Sequence, residues 1–262
     1  MNILVCVKHV PDDYAEIHLD PATGLPATAA VEKVANAFDT YALELAARYC
    51  EANGGEVTVA CLGPESAVNM MKNLLAVGAQ KAYLFNDSGL EDADEAATAA
   101  YLASVVKKCE ELSGQTYGLI LCGKESTDEI SGQVGARLAE IMGLGFVSSV
   151  IEVVPDGATL IARQETEDGY IKYSVEVPAV FTIAKPGYDP RYPNIKAKMA
   201  ARKAVIPVIS PAEAGIEKAA NAAVHIGYTE PEKRSAGIRI QEKDAADAVA
   251  KAMSILLQDK VL

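Results

Sequence analysis

The chain has 262 residues, half of them apolar, which suits one large α/β domain or a core domain with a smaller appendage. Lysine and arginine number 24 against 36 aspartates and glutamates, a formal charge of −12. That balance argues against a nucleic-acid surface and against docking on anionic lipid, and no run of about 18 apolar residues occurs that would span a bilayer.

Residues 2–8 (NILVCVK) predict a short buried strand rather than a cleavable signal, which needs a positive n-region and a longer apolar h-region. Residues 56–62 (EVTVACL), 81–85 (KAYLF) and 117–122 (YGLILC) have the same near-continuous apolar pattern, that of parallel strands covered on both faces. Helical patterns lie between them. Phe38, Tyr41, Ala42, Leu45 and Tyr49 share one face of a helix that Gly54-Gly55 stops. Residues 65–77 and 93–112 predict two more helices. Ile130, Val134, Leu138, Ile141 and Met142 mark a fourth, ended by Gly143. Alternating strands and helices imply right-handed crossovers, so residues 1–145 predict a doubly wound α/β fold with a mostly parallel sheet.

After residue 145 the period changes from 3.6 to 2. Residues 146–154, 158–164, 170–177 and 179–184 read as strands joined at Asp156-Gly157 and Asp168-Gly169. They predict an antiparallel extension of the sheet, with Ile171, Tyr173, Val175 and Val177 on one face of the third strand. Residues 185–203 carry three prolines and an excess of cations in an otherwise acidic chain. Residues 204–241 have few core-forming runs, and Ala246, Val249, Ala250, Met253, Leu256 and Leu257 form a last amphipathic helix. These readings divide the chain into an α/β domain over 1–203 and a C-terminal tail over 204–262. So sparsely apolar a tail is expected to wrap another subunit. The five cysteines, Cys6, Cys50, Cys61, Cys109 and Cys122, form no CxxC pair, and three fall in strand-like runs. Buried thiols in a reducing cytoplasm are expected, with no zinc site.

In an open parallel sheet, ligands bind beyond the carboxyl ends of the strands where strand order reverses. The segment after 117–122 (GKESTDEISGQVG) is the most informative: a strand ends in glycine, a polar loop follows, and a helix begins near Gly132 and Gly135. A helix N-terminus suits a phosphate, and glycines let a ligand approach the backbone. Ser126 and Thr127 offer hydroxyls, and Asp128 an acceptor for a ribose. Ordinary helix capping by Ser126, Thr127 or Asp128 is the commoner use of such residues, and chemistry alone favours it. The loop is not a Walker sequence, and no GxGxxG follows any strand. Asn36 reads as an N-cap, placed where it also reaches an adenine edge, and Phe38 as core. His9 reads as a loop-end histidine rather than a general base, since no nucleophile accompanies it. No metal-ligand cluster is evident.

Several segments resemble electron transfer flavoprotein β subunits, in that family's order. They are ILVCVKHVPD (3–12), NAFDTYALELA (36–46), LGP (62–64), GKESTDEISGQVGARLAEIMG (123–143), PAVFTIAKPGYDPRYPNIKAK (178–198) and KRSAGIRI (233–240). The resemblance implies an adenine nucleotide alpha hydrolase-like fold and a subunit that pairs with an α subunit to carry electrons, not a stand-alone enzyme. It implies one FAD shared with the α subunit, and AMP or, in electron-bifurcating members, a second FAD in the β-subunit site. Electrons would come from acyl-CoA dehydrogenase-type partners, or from NADH in a bifurcating variant.

Carried over by motif, the cofactor-binding residues would be Cys6 through its backbone, Asn36, Phe38, Asp39, Gly63, Ser126, Thr127, Asp128, Gly132, Gln133, Val134 and Gly135. The partner loop would present Pro190, Arg191, Tyr192 and Ile195, the last in place of a leucine anchor. The sequence departs from the family at Gly187-Tyr188-Asp189 before Pro190, in a shorter loop after Tyr192, and at Glu125, where glutamine is frequent. Two other functions compete with this one. An adenine-nucleotide-binding or sensing module without redox chemistry would bind AMP or ATP and no flavin. An independent NAD-dependent dehydrogenase lacks both the glycine fingerprint and a proton-transfer pair.

Overall fold

Apolar runs with both faces covered make the middle of a nine-stranded sheet, seen in a computed structural model that describes residues 1–232 and 236–261. In chain order the elements are β1 (Ile3–Cys6), β2 (His9–Pro11), β3 (Lys33–Ala35), α1 (Ala37–Asn53), β4 (Val57–Gly63), α2 (Val68–Ala76), β5 (Lys81–Asn86), α3 (Glu95–Ser113), β6 (Leu119–Gly123) and α4 (Val134–Met142). They continue as β7 (Gly145–Asp156), β8 (Thr159–Thr166), β9 (Gly169–Glu176), β10 (Ala179–Ile183), α5 (Ile195–Lys203), β11 (Val208–Ile209) and α6 (Ala245–Gln258).

The sheet order is β11-β5-β4-β1-β6-β10-β7-β8-β9. From β1 the chain steps outward through β4 and β5, then returns to place β6 on the other side of β1. Strand order therefore reverses between β1 and β6. Pairing is parallel from β11 through β7 and antiparallel only for β7–β8 and β8–β9. Alternation along β1 divides the core. Ile3 and Val5 face the layer that holds Leu45 and Tyr49 of α1 and Met71 and Leu74 of α2. Leu4 and Cys6 face Leu102 and Val106 of α3 and Leu138 of α4. The doubly wound fold is as expected.

Three expectations about the second half change. Residues 179–183 are not part of the antiparallel extension: β10 lies in the middle of the parallel sheet, between β6 and β7. Its five residues are all buried, the pattern of a strand covered on both faces, and nearness in sequence to the hairpins hid this. The first half of β7 is likewise parallel to β10, and only its second half opens the hairpin with β8. On β9 the expected buried face is largely exposed, including Ile171 and Tyr173, because β9 is the sheet's edge. The predicted turns do join β7 to β8 and β8 to β9, with Gly157 and Gly169 at positive φ.

Two small features were not anticipated. His9–Pro11 pairs with Lys33–Ala35 as a two-stranded antiparallel sheet, a pairing too short and too distant in sequence to leave a periodic signal. Val208–Ile209 adds to β5, and Ile206, Ile209 and Ala214 are buried, so residues 206–214 pack onto this chain's own sheet. The Tyr101 hydroxyl accepts from the Ala219 N–H at 3.2 Å, and Asn221 Nδ2 donates to the Asp92 carbonyl at 2.7 Å.

Residues 1–17 and 26–226 form one compact unit; 18–25 and 227–262 form a second. The second unit holds α6, N-capped by Asp244, with no residue of the helix buried and Val249, Met253, Leu256 and Leu257 exposed. Of the KRSAGIRI motif, Lys233, Arg234 and Ser235 lie outside the described residues. All five cysteines are buried and unpaired by disulfides, as expected. Among the described residues no helix is long and apolar enough to cross a membrane, and no cluster of metal-ligating side chains occurs.

Candidate functional site

The site begins with Asp39, in the first turn of α1 and buried. Its Oδ2 accepts the Lys8 N–H at 2.7 Å and its Oδ1 accepts the Gly123 N–H at 2.8 Å. One carboxyl thus joins the chain leaving β1 to the chain ending β6, across the point where strand order reverses. Gly123 is required there: a Cβ would lie 2.4 Å from Asp39 Oδ1 and 2.7 Å from Phe38 Cβ. Burial pushes the Asp39 carboxyl up to about 6, against the hydrogen bonds that favour its charged form.

That shift has a sign. A proton held to about pH 6 in the folded chain, but only to about 3.8 in the unfolded one, stabilises the fold at low pH; the gain is lost as pH rises through that window. In urea titrations, the stability of the protein minus that of Asp39→Asn is expected to fall between about pH 4 and pH 6. A difference independent of pH would contradict it.

Asn36 sits at the N-cap position of α1, but its side chain caps nothing. It reaches across instead, donating through Nδ2 to the Glu125 carbonyl at 2.9 Å and accepting the Thr127 N–H at Oδ1 at 3.1 Å. A buried amide therefore holds the loop that follows β6. Lys8 holds the same loop from the β1 side. Its Nζ lies 2.9 Å from Asp128 Oδ1, 2.9 Å from Glu129 Oε2 and 3.4 Å from Ser126 Oγ. Burial by itself would lower the Lys8 ammonium, but the two carboxylates outweigh it and raise it.

The helix does not start at Ser126–Asp128. The loop runs on to Gln133, with Ile130 and Gly132 at positive φ, and α4 begins at Val134. Capping by Ser126, Thr127 or Asp128 is therefore ruled out, and the loop is free for another use. No side chain caps α4, since the Gln133 carboxamide oxygen accepts from Arg137. Gln133, Val134 and Gly135 at its N-terminus line a cavity of about 220 Å³ at the ends of β1 and β6. Gly135 lets the helix sit close to β10: a Cβ would come 2.3 Å from Thr182 Cγ2.

Of the residues singled out in the sequence, Cys6, Asn36, Asp39, Ser126, Gly132, Gln133, Val134 and Gly135 line this cavity. Phe38, Gly63, Thr127 and Asp128 do not. Phe38 packs edge-on against Tyr41, Gly63 is buried at the end of β4, Thr127 bonds Asn36 through its backbone, and Asp128 pairs with Lys8. Lys8, Leu62, Asp87, Leu90, Glu91 and Leu102 also line the cavity and were missed. Asp87, Leu90 and Glu91 follow the end of β5, where ligands of an open parallel sheet also bind. His9 is half-buried, its Nδ1 has no hydrogen-bond partner among the described residues, and burial lowers its imidazole.

The partner-loop residues separate. Tyr192 and Ile195 are exposed, at 95% and 78%. Arg191 is engaged by its own chain: its N–H and Nε donate to Glu44 Oε2 at 3.1 and 2.8 Å, and it also pairs with Glu51. Pro190 is half-buried beside it.

The electron transfer flavoprotein domain family model matches residues 24–214. The chain is 32% identical to the electron transfer flavoprotein subunit beta of Megasphaera elsdenii over 272 residues, covering all of both chains. It is 38% identical over 196 residues to that of Thermoanaerobacterium thermosaccharolyticum, covering 75% of this chain and 73% of the other. To the caffeyl-CoA reductase-Etf complex subunit CarD of Acetobacterium woodii it is 34% identical over 217 residues, 82% of this chain and 80% of that one. With a cavity where strand order reverses and colinear motifs along the chain, the protein belongs to the electron transfer flavoprotein family, as a β subunit.

Proposed function

We propose that the cavity at the ends of β1 and β6 holds an adenine nucleotide, either AMP or the ADP portion of a second FAD, in a heterodimer whose other FAD is shared with an α subunit. The observation that carries this is the uncapped N-terminus of α4, set at the cavity by a loop that Asn36 and Lys8 fix from two sides. Free N–H groups and the helix dipole suit a phosphate. Bound FAD supplies the redox chemistry. This chain's residues bind and orient the nucleotide and keep water from it.

Two exposed surfaces support the pairing. The apolar side of α6 is amphipathic and bare, as a helix that packs on an α subunit requires. Tyr192 and Ile195 project from a loop that Arg191 anchors, an arrangement suited to recognising an acyl-CoA dehydrogenase-type partner, with NADH the electron source in a bifurcating variant. The buried free thiols fit a cytoplasmic setting.

The β subunit alone is expected to be colourless or weakly flavinated, and pairing with its α subunit to give a yellow complex that the partner reduces. In that complex Ile195→Ala is expected to slow reduction about tenfold or more with flavin content unchanged, as for an apolar hot spot. Loss of flavin would mean that the loop is structural. A β subunit fully active without α would overturn the reading.

A further inference from the structure

We infer that Cys6 and Cys122 form a dithiol site at the floor of the cavity, one that a hydroperoxide converts to an intrachain disulfide. The two residues end neighbouring parallel strands. Val5 is in register with Leu121, so the next step sets Cys6 opposite Cys122. Both side chains belong to the core on the same face of the sheet. Adjacent strands run about 4.8 Å apart, within the Cα separation of about 4.4–6.8 Å that a disulfide spans.

The pair is also within reach of a small oxidant. Each residue is nearly but not fully buried, at 6% and 7% exposure, and each lines the cavity. Cys61 and Cys109, in contrast, are completely buried. The two thiols already interact. The neighbouring Cys6 sulfur, with burial added, pushes the Cys122 thiol well above its usual range.

The chemistry balances without another reagent. The Cys6 sulfur attacks one peroxide oxygen, the O–O bond breaks, and with hydrogen peroxide the departing hydroxide takes the thiol proton as water. Cys6 is left as a sulfenic acid. The Cys122 sulfur then attacks the Cys6 sulfur, the S–O bond breaks, and a second water carries away the Cys122 proton. Two thiols lose two electrons in all, and the peroxide accepts them.

The test treats the full-length chain with hydrogen peroxide, alkylates it in denaturant and maps its peptides. The expected result is a Cys6–Cys122 cross-linked peptide and alkylation of the three remaining cysteines, against all five in the untreated chain. In Cys122→Ser the Cys6 sulfenic acid is expected to be trapped by dimedone, whereas in Cys6→Ser the Cys122 thiol stays reduced. The variants keep the assignment testable even if one folds poorly. A cross-link to a different cysteine, further oxidation of Cys6 without a cross-link, or five unchanged thiols would overturn the inference.

Discussion

Replacing Asn36 with alanine is expected to cost about 2–3 kcal/mol of stability and to release the bound adenine nucleotide during gel filtration. The amide is 1% exposed and makes two hydrogen bonds to the loop after β6. Alanine leaves the Glu125 carbonyl and the Thr127 N–H, both on half-buried residues, without that partner, and each stranded group costs about 1–1.5 kcal/mol. The loop also loses its hold on the helix side, so the N–H groups of α4 no longer face a fixed position. Asp128→Ala is the useful contrast. It removes one of the two carboxylates on Lys8, at a site partly open to solvent, where an ion pair is worth about 1 kcal/mol or less. If both variants kept nucleotide equally well, the Asn36 bridge would not order the site.

Arg191→Ala is expected to destabilise the protein by about 3 kcal/mol in urea denaturation. Its guanidinium reaches Glu44 at 2.8 and 3.2 Å, and Glu44 is 2% exposed. Burial alone would raise the Glu44 carboxyl, but hydrogen bonds from Arg191 and Arg48 outweigh it and hold it below the usual range. Removing the Arg191 side chain leaves the buried carboxylate with Arg48 at 2.6 Å and the backbone N–H of residue 191 at 3.1 Å, which places the loss at the low end for a broken buried pair. Arg191→Lys is expected to recover little, because one ammonium does not replace a fork that meets two carboxylates. A loss under about 0.5 kcal/mol would mean that solvent supports Glu44 without Arg191. Arg191 and Ile195 therefore test different things: the first holds the loop, the second is what the loop presents.

Much of this molecule was legible in sequence, and the reasons are specific. The parallel strands β1, β4, β5 and β6 are nearly continuous apolar runs, and α1 and α3 carry a helical period over many residues. Such long patterns survive any tertiary context. β10 was misplaced because a strand's neighbours are set by the whole sheet, and position after two hairpins says nothing about insertion between β6 and β7. The start of α4 was placed too early because Ile130 continues the apolar spacing, although it is an exposed loop residue at positive φ.

At the site, the segment after β6 was readable from its glycines and hydroxyls. The parts played by Asn36 and Arg191 were not. An asparagine before a helix looks like an N-cap, and only the fold shows that its amide is used 89 residues away. An arginine in a proline-rich loop looks like a partner contact, and only the fold brings it to Glu44, 147 residues earlier. Long-range pairing of polar groups leaves no local signature.

The most direct test of the account is the adenine content of the purified α–β complex after denaturing release. The account predicts two adenine groups for each heterodimer. One FAD with one AMP would mark a simple shuttle, and two FAD without AMP a bifurcating carrier. A single adenine, that of the shared FAD, would contradict it, because the cavity at the ends of β1 and β6 would then hold no nucleotide.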